Sequence, residues 1–226
     1  MGIFFAILII MLWSVNLYFS LSFVETSLTF FNYYAHILLQ TYLFTGLFIT
    51  AHDAMHGSIS FNKTANKLFG WTAAFLFAGL SYKKLLSNHI LHHKFPGTEQ
   101  DPDYYKGRQN IFVWWTVFLF RYVSIIQLLI MALLFNFLKI FFSDESILSF
   151  WVVPAVLSTF QLFYFGTYKP HMQPHTNDMK PHNARTLKKN HFFAMISCYF
   201  FGYHHEHHES PHTPWWQMFK LKKANN

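Results

Sequence analysis

Three stretches of this chain, residues 3–23, 30–51 and 147–168, are long, almost wholly apolar and nearly free of charge. A helix needs about 20 mostly apolar residues to cross about 30 Å of hydrocarbon, so each is read as a membrane span. Backbone groups in hydrocarbon find no water to bond, which leaves helices as the structure for continuous runs of this kind. Pro154, inside the last of them, is tolerated where neighbours satisfy the freed carbonyl. A fourth apolar region, residues 111–142, would make a helix of roughly 48 Å at about 1.5 Å per residue, too long for one straight crossing. Arg121 is expected to divide it into an interfacial segment, 111–120, and a span, 122–142, with its guanidinium snorkelling to the boundary. Residues 68–80 and 192–203 are too short to span and are expected to be interfacial or re-entrant. The expected fold is therefore an all-α membrane protein, four transmembrane helices plus interfacial helices, in a single domain over residues 1–226.

Composition agrees, at 53% apolar and 12% charged against about 45–50% and about 25% for soluble domains. A chain of 226 residues built this way leaves no room for a separate soluble redox module. The one cysteine, Cys198, lies in an apolar run and forms no intrachain disulfide; its expected role is packing. The net charge of +7 does not point to nucleic acid, because the basic residues are scattered rather than gathered in an arm. They do sort by side. The turns "VETS" and "SDES" carry Glu25, Asp144 and Glu145 and no cation, whereas every lysine and arginine except Arg121 and Lys139 lies between the second and third spans or in the tail. The positive-inside rule puts those segments and both termini in the cytoplasm. The opening "MGIFFAILII" has no cationic leader, no cleavage site comes after it, and position six is not Ser or Thr. The first span is therefore expected to be neither a removed signal nor a myristoylated arm.

On that cytoplasmic side the histidines fall into boxes. "HDAMH" places His52 and His56 four apart, "HILHH" gives His89, His92 and His93, and "HHEHH" repeats the same offsets as His204, His207 and His208. Residues three and four apart share a helix face, so each box presents imidazoles in one direction. A lone pair at that spacing is commonplace, but two copies of His-x-x-His-His beside it on one membrane face are a metal-site pattern. Imidazole suits iron, zinc, copper and nickel, yet a closed zinc site takes four ligands, and eight or nine nitrogens call for two ions. Carboxylate di-iron bundles use Glu-x-x-His, which is missing, so an all-histidine pair of irons is the best physical answer.

The text around the boxes carries a resemblance. "AHDAMHG", "SNHILHHKFPGTEQDPDY", "LFYFGTYKPH" and "FGYHHEHHESPHTPWW" resemble the bacterial-type β-carotene ketolases of the membrane fatty acid desaturase and hydroxylase superfamily, from about residue 3 to 220. The resemblance implies two histidine-bound irons, O2 as co-substrate and a separate electron donor such as ferredoxin. It implies two successive hydroxylations at position 4 of the β-ionone ring of a carotenoid drawn from the bilayer, then loss of water to the ketone, giving echinenone and then canthaxanthin. A ninth ligand is implied after the last span, where His171 is the first imidazole past Tyr168 and His175 its competitor. In the third box His204, rather than His205, has the direction shared with His207 and His208. The remaining histidines, His36, His175, His182, His191, His205 and His212, fit no box spacing.

Histidine ligands usually have their outer ring nitrogen held by a carboxylate or carbonyl. Asp53, Asp101 and Asp103 are expected to do this, and Glu99, Glu206 and Glu209 lie nearby, with a solvated acidic loop as the plainer alternative. Trp71, Trp114 and Trp115 are candidates for the substrate wall or for interfacial anchors. Box spacing alone leaves an acyl-lipid desaturase and a carotenoid ring hydroxylase as rivals. A metal transporter would need ionisable groups deep in the spans, where His36 stands nearly alone.

Overall fold

The computed structural model describes residues 1–188 and 190–222, and its regular structure is helical. Helices α1 (Gly2–Phe23) and α2 (Phe31–Met55) are two of three, among the described residues, that are long and apolar enough to span a membrane. α2 is the central element, packed against α1, against α3 (Lys63–Ala78) and against the third long helix, α7 (Asp144–His171). Within the membrane, α1 and α2 are tied by amide and imidazole groups rather than by apolar packing alone. Asn16 donates to Gln40 at 2.6 Å, and the His36 ring nitrogen lies 2.9 Å from Asn16 Oδ1 and 3.0 Å from Ser20 Oγ.

α3 starts at Asn62, whose side chain accepts from Thr64 N and Ala65 N, and ends at Gly79, whose φ of 63° is the left-handed conformation that glycine adopts freely. The chain thereby reverses into α4 (Tyr82–Lys94), laying the second histidine box beside the first.

Residues 111–142 depart from the expectation. They form α5 (Ile111–Tyr122) and α6 (Ile125–Leu138), bent by 90° at the break. The 14 residues of α6 reach only about 21 Å at about 1.5 Å each, so 122–142 is not a straight span, and a fourth crossing exists only if the bent pair counts as one. The cause is local: Ser124 and Gln127 form a capping box that starts a new helix two residues after the old one stops. Arg121 also does something other than snorkel. Its guanidinium donates to the carbonyls of Pro102 and Tyr104, clamping the loop after the second box to the end of α5.

α7 contains two widened π segments, Leu148–Val152 and Tyr164–Tyr168. Each ends two residues before a proline, Pro154 or Pro170. Proline has no N–H to return and its ring crowds the carbonyl four residues back, here Phe150 and Gly166, both inside the π segments. The helix accommodates this with an extra residue in the turn, which rotates the next part of the helix by about 100°. After α7 come α8 (His191–Cys198), which makes up much of the apolar stretch at 192–203, and the short α9 (His204–Glu209) carrying the third box. Tyr199 and Phe200, at φ 48° and 60°, turn the chain between them. That unfavourable conformation is held by stacking of Tyr199 on Tyr42 at 4.3 Å and by burial of Phe200.

Candidate metal centre

All nine histidines named as ligand candidates converge, in two adjacent groups. His52, His56, His89, His93 and His207 form one, and His92, His171, His204 and His208 the other, the ligand-capable atoms of each group lying within 4.8 Å of one another. The boxes do not each face one direction. Members four apart, His89 with His93 and His204 with His208, stay together, while the member at offset three, His92 or His207, crosses to the opposite group. Helix geometry permits this: residues four apart differ by about 40° around the axis, whereas offsets of three and four differ by about 100°. Each of these two boxes therefore contributes to both groups, and the groups touch, with the His93 and His208 rings 4.3 Å apart.

The inward nitrogens are Nε2. Separations between them are 3.2 Å for His52 and His207, 2.6 Å for His56 and His89, and 3.0 Å for His93 and His207. In the other group His92 is 3.3 Å from His204 and 3.2 Å from His208. Neighbouring ligands around an ion bound at about 2.0–2.1 Å are roughly 2.9–3.4 Å apart, so all but the shortest of these pairs fit. His171 Nε2 is buried with no hydrogen-bond partner, as expected of an atom meant for a metal. Burial holds the imidazoles neutral, lowering His56 to about 4 and His93 to about 2, and taking His89, His204, His207 and His208 well below the usual range. The donor set suits two metal ions.

Three of the outer nitrogens face a carboxylate or a carbonyl, whereas those of His204 and His208 have no partner among the described residues. His92 Nδ1 lies 3.0 Å from both oxygens of Asp101, which also accepts from Gly97 N and Asp103 N. Burial alone would lower His92, but Asp101 facing its Nδ1, with Asp103 at 3.9 Å, raises it above the usual imidazole value. The carboxylate accepts from Nδ1–H, which fixes the ring with Nε2 facing inward. His171 Nδ1 donates to the carbonyl of Asn183 at 2.9 Å. Asp53 Oδ1 is 3.5 Å from His52 Nδ1, and its other oxygen accepts from Trp215 N, tying the tail to α2.

A largely apolar cavity of about 150 Å³ ends on both groups, at His52 and His89 on one side and His92 and His204 on the other. Its aromatic walls are Phe48, Phe77, Phe118, Tyr122 and Phe201. A larger groove, about 440 Å³, lies between α3 and α4, is lined by Lys63, Lys67, Lys83 and Trp71, and includes none of the nine histidines.

The chain matches the fatty acid desaturase family over residues 28–143 and 115–225. It is 38% identical over 187 residues to a β-carotene ketolase of Paracoccus sp. (strain PC1), covering 81% of this chain and 76% of that one. The chain belongs to the fatty acid desaturase family. It is also 36% identical over 217 residues to a zeaxanthin 4-ketolase of Chlamydomonas reinhardtii, covering 94% of this chain and 49% of that one. A β-carotene 4-ketolase of Protosiphon botryoides is 35% identical over 205 residues, with 85% of this chain and 53% of that one covered. No solved structure matches.

In this desaturase-family chain the histidines outside the boxes have other partners. His175 Nε2 donates to the carbonyl of His171 at 2.9 Å, and His205 Nδ1 donates to Ala184 O at 3.0 Å. His212 Nδ1 donates to His56 O, and His191 meets the Tyr203 hydroxyl. His182 stacks on His208 from outside. Glu99 pairs with Lys106 at the surface, Glu206, half-buried on α9, accepts from Thr186, and Glu209 lies 3.3 Å from His205, so each of these contacts is to a residue outside the nine. The tryptophans do not line the cavity: Trp114 is fully buried with Nε1 donating to Asp103 O, and Trp115 donates to Thr159. The Asn183 carbonyl and the hydrogen bond from Tyr122 to Asp103 were not foreseen, and no local pattern in the sequence marks either.

Proposed function

We propose that this chain oxidises the ring methylene at position 4 of β-carotene to a ketone, giving echinenone and then canthaxanthin. The observation that carries the reading is the apolar cavity ending on both histidine groups. Its roughly 150 Å³ is about half of the smallest pockets, about 300 Å³, that enclose a whole drug-sized ligand. It suits one end of a long hydrocarbon whose remainder lies in the bilayer.

Two irons held by the nine histidines would supply, with O2, the oxidant that a hydrocarbon C–H bond needs and that side-chain acids and bases cannot provide. His52, His56, His89, His93 and His207 would hold one ion, and His92, His171, His204 and His208 the other. The chain's own contribution is placement. Asp101 fixes the His92 ring, the Asn183 carbonyl fixes His171, and Phe48, Phe77 and Phe201 exclude water from the ring's position. Electrons come from a separate protein such as a ferredoxin, reaching the boxes from the side that the positive-inside rule reads as cytoplasmic.

Expression in a host that accumulates β-carotene, followed by pigment separation, tests this. Echinenone and canthaxanthin are expected. Hydroxylated rings as the end product would make the chain a ring hydroxylase, and unchanged β-carotene in cells carrying the folded protein and a reductant would overturn the reading.

A further inference from the structure

Apart from the histidines, the cavity is lined by one polar side chain for which the described residues supply no hydrogen-bond partner. Tyr122 donates to Asp103, Gln127 bonds Ala78 O and Ser124 N, and Thr159 donates to Val156 O while accepting from Trp115. The histidines face one another. Thr167 also lines the cavity and is buried, yet its hydroxyl has no partner among the described residues. Buried threonines in helices usually return the hydroxyl to a carbonyl one turn back, as Thr41, Thr45 and Thr50 do here. Thr167 sits instead in the π segment Tyr164–Tyr168, four residues before His171 and next to Gly166, where the lack of a side chain lets Phe201 close the wall.

We propose that the Thr167 hydroxyl hydrogen-bonds the first oxygen placed on the ring and holds the ring alcohol in the cavity for a second oxidation. The inference rests on the ketolase reading. In that second step the alcohol carbon's C–H becomes C–OH: O2 accepts two electrons from the donor protein and takes up two protons, one oxygen atom enters the ring carbon and the other leaves as water. The resulting gem-diol loses a second water to give the ketone. A hydrocarbon ring makes no bond to Thr167, so the residue discriminates only once an oxygen is present. An alcohol in the same apolar space without such a partner would bear the full desolvation cost of its hydroxyl and escape to the bilayer surface. Thr167 thereby sets ketone against alcohol as the product; it is a specificity-determining residue.

The test compares wild type, Thr167→Val and Thr167→Ser. In β-carotene-accumulating cells, Thr167→Val should shift the products from ketone toward the 4-hydroxy carotenoid, and Thr167→Ser should restore ketone. In parallel, tryptophan quenching of the purified metal-loaded protein in nanodiscs measures affinity for 4-hydroxy-β-carotene and for β-carotene. One net hydrogen bond predicts that the affinity ratio of alcohol over hydrocarbon falls roughly 2- to 13-fold in Thr167→Val. An unchanged product ratio and an unchanged affinity ratio would overturn the proposal. Should the valine variant fail to accumulate, Thr167→Ala takes its place, with the same two shifts expected and the same unchanged ratios overturning the proposal. A wild type that forms no ketone defeats the ketolase reading itself, whereas ketone from wild type with an indifferent Thr167→Val defeats only this inference.

Discussion

Gly166→Ala should abolish most ketone formation while leaving the protein folded. A Cβ on Gly166 would lie 2.0 Å from Phe201 Cε1 and 2.6 Å from its Cδ1, against about 3.5–4.0 Å for carbon atoms in contact. The Phe201 ring must therefore retreat by roughly 1.5 Å. It packs edge-on against His52, with centroids 5.1 Å apart, and against His204, at 5.4 Å, one histidine from each group. A ring pushed that way displaces the histidines, and a ring swung the other way fills the cavity. A misplacement of about 1 Å costs about 100-fold in rate. Stability changes less, because about 1–3 kcal/mol of overpacking is offset by about 1 kcal/mol gained from alanine over glycine in a helix. Pigment analysis at matched membrane expression, with thermal unfolding of the purified variant, separates the two effects. Gly166→Ala combined with Phe201→Leu, which frees the space, should recover part of the activity. Wild-type ketone from Gly166→Ala alone would refute the reasoning.

Three further outcomes are expected from the same pigment assay. His204→Ala should abolish ketone and His205→Ala retain most of it, since His204 lies in the four-histidine group and His205 bonds a backbone carbonyl. His171→Ala should be inactive and lose metal, whereas His175→Ala, whose ring bonds the His171 carbonyl, should keep its metal. Asp101→Asn, which weakens the hold on His92 Nδ1, should lower metal affinity or activity by roughly 10- to 100-fold.

The candidate site was legible from box spacing because holding two ions requires many imidazoles, and helices deliver them at offsets of three and four. How the members divide was not legible in the same way. His92 and His207 cross to the opposite groups through an angular difference that matters only once both helices are placed side by side. His171 is told from His175 by the Asn183 carbonyl that holds its outer nitrogen, 12 residues further along the chain, where no local pattern announces it. In the fold, counting apolar residues over 111–142 hid a right-angle bend, although Ser124 and Gln127, three apart before an apolar run, were a readable helix start. Trp114 looked like a membrane or cavity residue because its partner is a backbone carbonyl, that of Asp103, on a loop whose path Arg121 sets.

The most direct measurement is the metal content of the protein purified without oxygen from iron-replete cells, read by elemental analysis and Mössbauer spectroscopy. Five and four imidazoles in two touching groups predict two irons per chain in nitrogen-rich environments. One ion per chain, or zinc without iron in protein that still forms ketone, would contradict it.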